Sequence, residues 1–471
     1  MPLPYSRVMV AALLLLCAAP LQAQHDDRIW GRVFTDDGEI HEGFIRLVRW
    51  RAAASWADVL SARKEIPEEH YQDWLDATRD GQPNVGTVEL KGYRITWEQK
   101  HPAFERPQLS GIRLGHVAAL TVGEEGRVVV TTRSNHGTEL DPESVPVVIG
   151  RDGPEIPDPM QALGESLDGF VMVQRLSDME LVIDSGGRST DVAGGAVARI
   201  EFAVAPPGSA APSFPRLYGT VEDRTGRSFT GFVTWDRGSV LESQRLGAYW
   251  EDVPELANPW VSDKYERSFR FSEIRSLQRT PCFAKVTLKT DSVVELCSEP
   301  FDRDPGPVRI SDPALGFVEV EWDAVRTLRF EGSPGLPGYD AFDGGRPLSG
   351  TVVTVDGDQI TGRIRWDADE EWSWELLQGS SADVEFSIEF GNVAHIAREG
   401  PDGARVTLRD GRSFQLTGGY DVGRDNRGIF IFPASVSGTA AAQSVPEWRY
   451  VGWKDFREVR FHPTADTGAG S

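Results

Sequence analysis

Which chemistries are open to this chain is decided first by how its histidines, nucleophiles and carboxylates are spaced. It has eight histidines, His25, His41, His70, His101, His116, His136, His395 and His462, and none forms an HExxH pair or a His/Cys cluster. Zinc hydrolysis and structural zinc need such ligand sets, so neither is expected. Ser166 sits in GESLDG, where Asp168 takes the place of the second glycine of a nucleophile elbow. No P-loop and no GxGxxG opening a helix is present. Carboxylates are abundant, but their spacing selects no catalytic pair. The densest group follows Trp366: Asp367, Asp369, Glu370 and Glu371. Oxygen-rich loops can hold Ca²⁺. The D-x-[DN]-x-[DN]-G spacing is missing, however, so these four are expected as solvated charge. No catalytic residue, metal or cofactor is expected.

Two other residue types carry binding or covalent chemistry. The chain has 14 tryptophans, and Trp56, Trp74, Trp250, Trp260, Trp372 and Trp374 lie in segments that read as insertions. An exposed indole face stacks on a sugar ring or anchors a partner protein. Trp250, Trp260, Trp372 and Trp374 are therefore the candidate binding residues. The competing expectation, that the insertion tryptophans plug the open ends of small barrels, is the stronger one. Trp235, Trp322, Trp366 and Trp453 recur at matching places and read as core. Cys282 and Cys297 flank FAKVTLKTDSVVEL, which alternates like a hairpin folded near Thr290. In an oxidising compartment they are expected to form a disulfide. Closing a loop of about 16 residues contributes roughly 3 kcal/mol in the chain-entropy view.

Composition bounds the partners. The chain has 471 residues and a formal net charge of −23. Residues 1–23 hold one charge, Arg7, then an apolar run from Val8 to Ala19, then Leu21-Gln22-Ala23 before Gln24. That is the layout of a cleavable secretory signal, and the run is too short to span a bilayer. Cys17 follows the bulky Leu16, which a lipobox does not allow. The acidity opposes phosphate backbones and anionic lipid heads, so no nucleic-acid partner is expected. No other apolar run is long enough to cross a membrane, so no transmembrane segment is expected.

The elements that must position these residues show themselves as a repeat. GRVFTDDGEIHEGFIRLV, GTVEDRTGRSFTGFVTWD and GTVVTVDGDQITGRIRWD begin at Gly31, Gly219 and Gly350. Their glycines share one spacing: Gly31, Gly38, Gly43; Gly219, Gly226, Gly231; Gly350, Gly357, Gly362. A second signature follows in each: Leu114, Val117, Leu120; Phe271, Ile274, Leu277; Phe390, Val393, Ile396. A closing one returns the spacing: Val197, Ile200, Phe202 after Gly194; then Trp322, Val325, Leu328; then Trp453, Phe456, Val459. The expected fold is all-β: three tandem repeats, each of two related small curled β-barrel or β-sheet halves, with short helical insertions. The boundaries are a signal peptide at 1–23 and repeats at 28–202, 217–331 and 348–462. Pro/Gly-rich linkers lie at 203–216 and 332–347, and a disordered tail at 463–471.

Local chemistry supports strands. Asp356-Gly357 between two β-branched runs is a hairpin signal, because a type I′ turn needs positive φ. Gly362 and its equivalents fall inside the second strand and are expected to mark a bulge or bend. Helix is expected over Ala54–Arg63 and from Pro67 to Gly81, with a short aromatic-acidic helical turn at YWEDVPEL and EEWSWELLQG. The pattern V-x-x-x-D-G-x-x-I-x-G-x-I-x-W-D, followed by x-F-x-x-V-x-x-I, resembles the first motif of Sm-like small β-barrels over about 50 residues per repeat. NRGIFI at Asn426 is similar to that family's second Arg-Gly motif, but occurs once and farther downstream. SH3-like barrels fit the pattern equally. The resemblance implies the fold. It does not bring the family's RNA binding, because the Asn expected after the Asp is absent and the charge and leader disagree.

Taken together, these features lead to the expectation of an exported, periplasmic or extracellular, non-catalytic protein that acts as a protein-interaction or structural module. The alternative is a glycan or cell-wall binder using the insertion tryptophans, and the third reading is an acidic hydrolase.

Overall fold

The structure, a computed structural model, describes residues 27–48, 53–79, 85–90, 93–98, 107–122, 128–134, 180–209, 215–236, 238–250, 266–297, 306–334, 337–419, 421–433 and 448–463. The expected signal peptide, Trp260 and all but the first residue of the expected tail lie outside them. The protein is all-β. Its strands are antiparallel and fall into one seven-stranded sheet, one twenty-stranded sheet and two two-stranded sheets among the described residues. No described helix is long and apolar enough to cross a membrane.

The three glycine-marked hairpins adopt one register. Gly31 pairs with Gly43, Gly219 with Gly231 and Gly350 with Gly362. The turn glycines Gly38, Gly226 and Gly357 have φ of 87°, 90° and 93°, the left-handed conformation that the DG signal requires. Each first strand has a second neighbour, the closing strand. Gly31 faces Phe202, Gly219 faces Phe330 and Gly350 faces Phe461.

The second strand of each hairpin has another neighbour too, Glu180–Ser185, Val308–Asp312 or Ile429–Phe432, and this corrects the expected bulge. None of Gly43, Gly231 and Gly362 has a positive φ, and the register shifts lie instead where the first strand meets the closing strand, after Phe34, Glu222 and Val353. What these glycines lack is room. A Cβ on Gly350 would lie 2.5 Å from the Arg460 carbonyl oxygen, and one on Gly43 would lie 2.5 Å from that of Asp184. The glycines let neighbouring backbones approach too closely for any side chain.

The second signature forms a 3₁₀ turn leading into a strand in each region. The turns are Leu114–His116, Phe271–Glu273 and Phe390–Asn392. Their signature residues, from Leu114 to Ile396, are all buried. The expected core tryptophans meet as pairs: Trp235 lies 5.0 Å from Trp322 and Trp366 lies 6.3 Å from Trp453, both edge-on. Such pairs add about 1 kcal/mol beyond the area they bury.

The twenty-stranded sheet runs through both later regions because Gly316–Val320 pairs along its whole length with Val384–Glu389. The counterpart of that strand in the third region, Arg449–Val451, is three residues long and pairs with Ile429–Phe432. Of the two expected forms, barrel and sheet, the described residues form sheets, with no closed barrel among them. Cys282 and Cys297 are paired with Cα atoms 4.8 Å apart, within the span a disulfide needs. They lie across the expected hairpin, Cys297 standing opposite Phe283.

Helix is scarcer than expected. Glu68–Arg79 is the one α-helix among the described residues, placed as Pro67 predicts. Two other expected helical segments are turns followed by strands. Ala54–Arg63 becomes a turn and then the strand Val59–Glu65, which pairs with Pro107–Arg113. Glu370–Gly379 becomes a turn and then the strand Leu376–Ser381. The reason is tertiary: the second half of each segment pairs as a strand, Val59–Glu65 with Pro107–Arg113 and Leu376–Ser381 with Val384–Glu389, while one carboxylate closes the turn before it. Ala54 and Ser55 donate to Asp58 Oδ2 at 2.9 and 3.0 Å, and Glu371 and Trp372 donate to Glu375 Oε2 at 2.5 and 2.8 Å. In the second region, YWEDVPEL begins as a strand at Tyr249 and Trp250 and then leaves the described residues.

Candidate functional site

The chemistry gathers where Arg365 leaves its strand and the chain turns over Trp366–Glu370. Trp366 N–H donates to the Glu370 carbonyl at 2.8 Å, and Asp369 N–H to the Trp366 carbonyl at 3.0 Å. Asp367 and Ala368 hold φ of 47° and 65°, a left-handed conformation that costs a non-glycine residue on the order of 1–2 kcal/mol. The second region makes the same turn from Trp235 to Ser239: Asp236 has φ 46°, and Trp235 N–H donates to Ser239 at 2.8 Å. Its Asp236 Oδ1 accepts Gly306 N–H at 2.9 Å. Asp367 accepts Arg427 N–H in the same way, two residues before the next strand. Asp367 is therefore a structural acceptor shared by both turns. Asp369 and Glu370 are additions, standing where the second region has Gly238 and Ser239.

The expected solvation of these acids is corrected by their burial. Asp367 is 0 %, Asp369 5 % and Glu370 8 % exposed, and Glu371 is half-buried. The first region covers them. Trp74 and Leu75 of the helix pack with Ala368 and Phe430. Arg365 joins Glu371 and, at 2.8 Å, the helix residue Asp73. Lys64, from the strand before the helix, donates to the Asp369 carbonyl at 2.5 Å and forms an ion pair with Glu375. Arg427 reaches Asp367, and Asp369 Oδ1 at 2.9 Å. Asn426 and Gly428 brace it, Asn426 bonding the Asp421 carbonyl at 3.1 Å and accepting Gly428 N–H at 2.9 Å.

Burial sets the electrostatics. Asp367 is pushed up to about 7, by loss of water first, against the pull of Arg427. Glu370 and Asp421 stand well above the usual carboxylate range, again through burial first and then through neighbouring carboxylates. Glu375 is raised by burial, against Lys64. For Lys64 and Arg427 burial opposes the charge, but the surrounding carboxylates win and hold both cations protonated.

Beside the cluster, His70 is buried, and its Nδ1 has no hydrogen-bond partner. It is held down at about 4, by burial first and then by the Arg365 guanidinium. Above the ordinary value of 6.5 the folded and unfolded chains both carry it neutral. As pH falls from there toward 4, the unfolded chain takes up a proton that the folded chain refuses. Stability is then lost at up to about 1.4 kcal/mol per pH unit. His70→Asn removes that loss. The unfolding free energies of the two chains, measured in urea, should shift relative to each other by roughly 2–3 kcal/mol between pH 7 and pH 4. A constant difference across that window would show that His70 accepts the proton in the folded state.

Equivalent buried pairs fasten the other junctions. Arg216 holds Asp58, the turn acceptor of the first region. Arg113 and His116 each lie 3.0 Å from Glu389 of the third region. The guanidinium of Arg133 lies 3.9 Å over the Tyr339 ring.

Of the four expected binding tryptophans, the side chains of Trp372 and Trp374 are described, and both pack against one core. Trp374 is 1 % exposed and packs into the first region's core, which leaves no ring face for a ligand. Trp372 is half-buried against the same core. Trp250 lies at the end of the strand Arg245–Trp250, with its side chain outside the described residues, as is all of Trp260. Lys64, Glu375, Asp421 and Arg427 were not singled out from the sequence. The readable signal was the 131-residue offset, which sets Gln244 against Glu375 and Gly238-Ser239 against Asp369-Glu370 and so marks the added charges. Comparison with family models, with curated proteins and with solved structures finds no match.

Proposed function

We propose that the chain is an exported, non-catalytic interaction or structural module. On this reading three copies of one β unit, of a type similar to Sm-like and SH3-like domains, are fastened into one body. The observation that carries it is the use of the buried charges. The turn acceptors Asp58 and Glu375 are each answered by a cation from outside their own region, Arg216 at the end of the linker and Lys64 of the first region. The Arg113–Glu389–His116 group spans the first and third regions in the same way. Groups that general acid–base catalysis would present to a substrate are here engaged in joining strands. The insertion of the first region lies over the third region's turn, which suits a fixed scaffold.

Export and inertness are tested together. Expressed in full in a bacterial host, the protein should be recovered outside the cytoplasm, beginning at Gln24 and with no free thiol at Cys282 or Cys297. It should turn over no chromogenic ester, peptide or glycoside. Cytoplasmic protein with Met1 intact overturns the export reading. A hydrolytic activity that is lost in Asp369→Asn overturns the non-catalytic one.

A further inference from the structure

We propose that Asp367, Asp369 and Glu370 form a binding site for a hard divalent cation, Ca²⁺ in preference to Mg²⁺. The three side chains each offer a carboxylate oxygen, and these oxygens lie within 4.8 Å of one another. Ligands at about 2.4 Å on opposite sides of one Ca²⁺ span about that distance, whereas octahedral Mg²⁺ draws its ligands closer. The donor set is oxygen only, which excludes the softer metals that favour thiolate or imidazole.

A ring of acids is not by itself a site, and what points to a ligand here is Glu370. Its residue is 8 % exposed, and its Oε2 is buried with no hydrogen-bond partner. A buried carboxylate oxygen without a donor is costly unless a cation answers it. Arg427 serves Asp367 and Asp369, and Lys64 serves Glu375 and Asp369; neither is paired with Glu370. The formal balance says the same. Asp367, Asp369, Glu370, Glu375 and Asp421 are all buried, and Lys64 and Arg427 are the two cations paired within the group.

The fold does not require the added acids. The second region builds the same turn with Gly238 and Ser239, with the same Trp235–Ser239 bridge and the same Asp236 acceptor. The third region keeps the turn and adds two carboxylates beneath a roof supplied by the first. A cation there would tie the turn from within and answer the formal charge of the added carboxylates.

The test uses the full chain, stripped with chelator and titrated with CaCl₂ by calorimetry and thermal melting, with NaCl matching the ionic strength. Saturable binding of one Ca²⁺ per chain is expected, with melting raised by about 5 °C at a hundredfold excess over Kd. MgCl₂ should bind at least tenfold more weakly. Glu370→Ser installs the second region's residue at the same turn position; it should fold and lose at least tenfold in Ca²⁺ affinity. Should that variant not fold, Glu370→Gln, which keeps the side-chain length, must show the same loss. Wild-type protein without saturable Ca²⁺ binding overturns the proposal, and so does undiminished binding in a folded Glu370 variant.

Discussion

Lys64→Met is expected to destabilise the protein by about 3–5 kcal/mol, because it strands a buried carboxylate. Lys64 is 7 % exposed and Glu375 is 2 % exposed. Glu375 cannot turn to water, since its Oε2 holds the N–H groups of Glu371 and Trp372. Methionine fills most of the volume of lysine, so the loss reports charge more than packing. The second region indicates how to rescue it. Gln244 accepts the N–H groups of Val240 and Leu241 at 2.6 and 2.8 Å through a neutral amide. Glu375→Gln combined with Lys64→Met should therefore recover most of the loss, giving a coupling of about 2 kcal/mol or more in a double-mutant cycle. Urea unfolding of the wild type, both single variants and the double variant measures it. A Lys64→Met chain within 1 kcal/mol of wild type would mean that Glu375 takes up a proton at almost no cost.

The second large effect belongs to Gly362. A Cβ there would lie 2.7 Å from the Phe432 carbonyl carbon, with the carbonyl oxygen closer still, and 3.0 Å from the Pro433 nitrogen. All three atoms are backbone, so no side chain can swing aside, and two paired strands must separate. Gly362→Val should cost about 3 kcal/mol or more, and Gly362→Ala most of that, since the first carbon already collides. Gly357 is the control: φ is 93°, and nothing lies within 4 Å of an added Cβ. Gly357→Asn should cost about 1 kcal/mol or less, because asparagine tolerates the left-handed region. If Gly362→Ala unfolds at the wild-type urea midpoint, the close approach of these strands does not limit stability.

Gly362 also shows how far the sequence could be read. Its importance was visible in the spacing, but its physical reason was not. A bend and a close approach of backbones demand the same residue, and only the partner strand, some 70 residues downstream, distinguishes them. The hairpins, the buried signatures, the core tryptophans and the cysteine pair rest on local pattern, so they were legible. The acids after Trp366 were misjudged because a run of charge looks the same whether water or another region covers it. Lys64 lies 311 residues from Glu375, and nothing in local periodicity links them. The expected helix at Glu370–Gly379 failed because helical spacing does not record that Leu376–Ser381 finds a strand partner in Val384–Glu389.

The strand Arg449–Val451 has one more consequence. Gly316–Val320 offers five residues of backbone to the region that follows it, and all five are paired. Its counterpart in the third region offers three, with the rings of Trp448 before it and Tyr450 within it turned onto Phe430. A further unit docking there would find little edge to grip. The position that joins the second region to the third is thus a short edge in the third region. It also denies a stray chain the exposed ladder on which edge-to-edge aggregation begins.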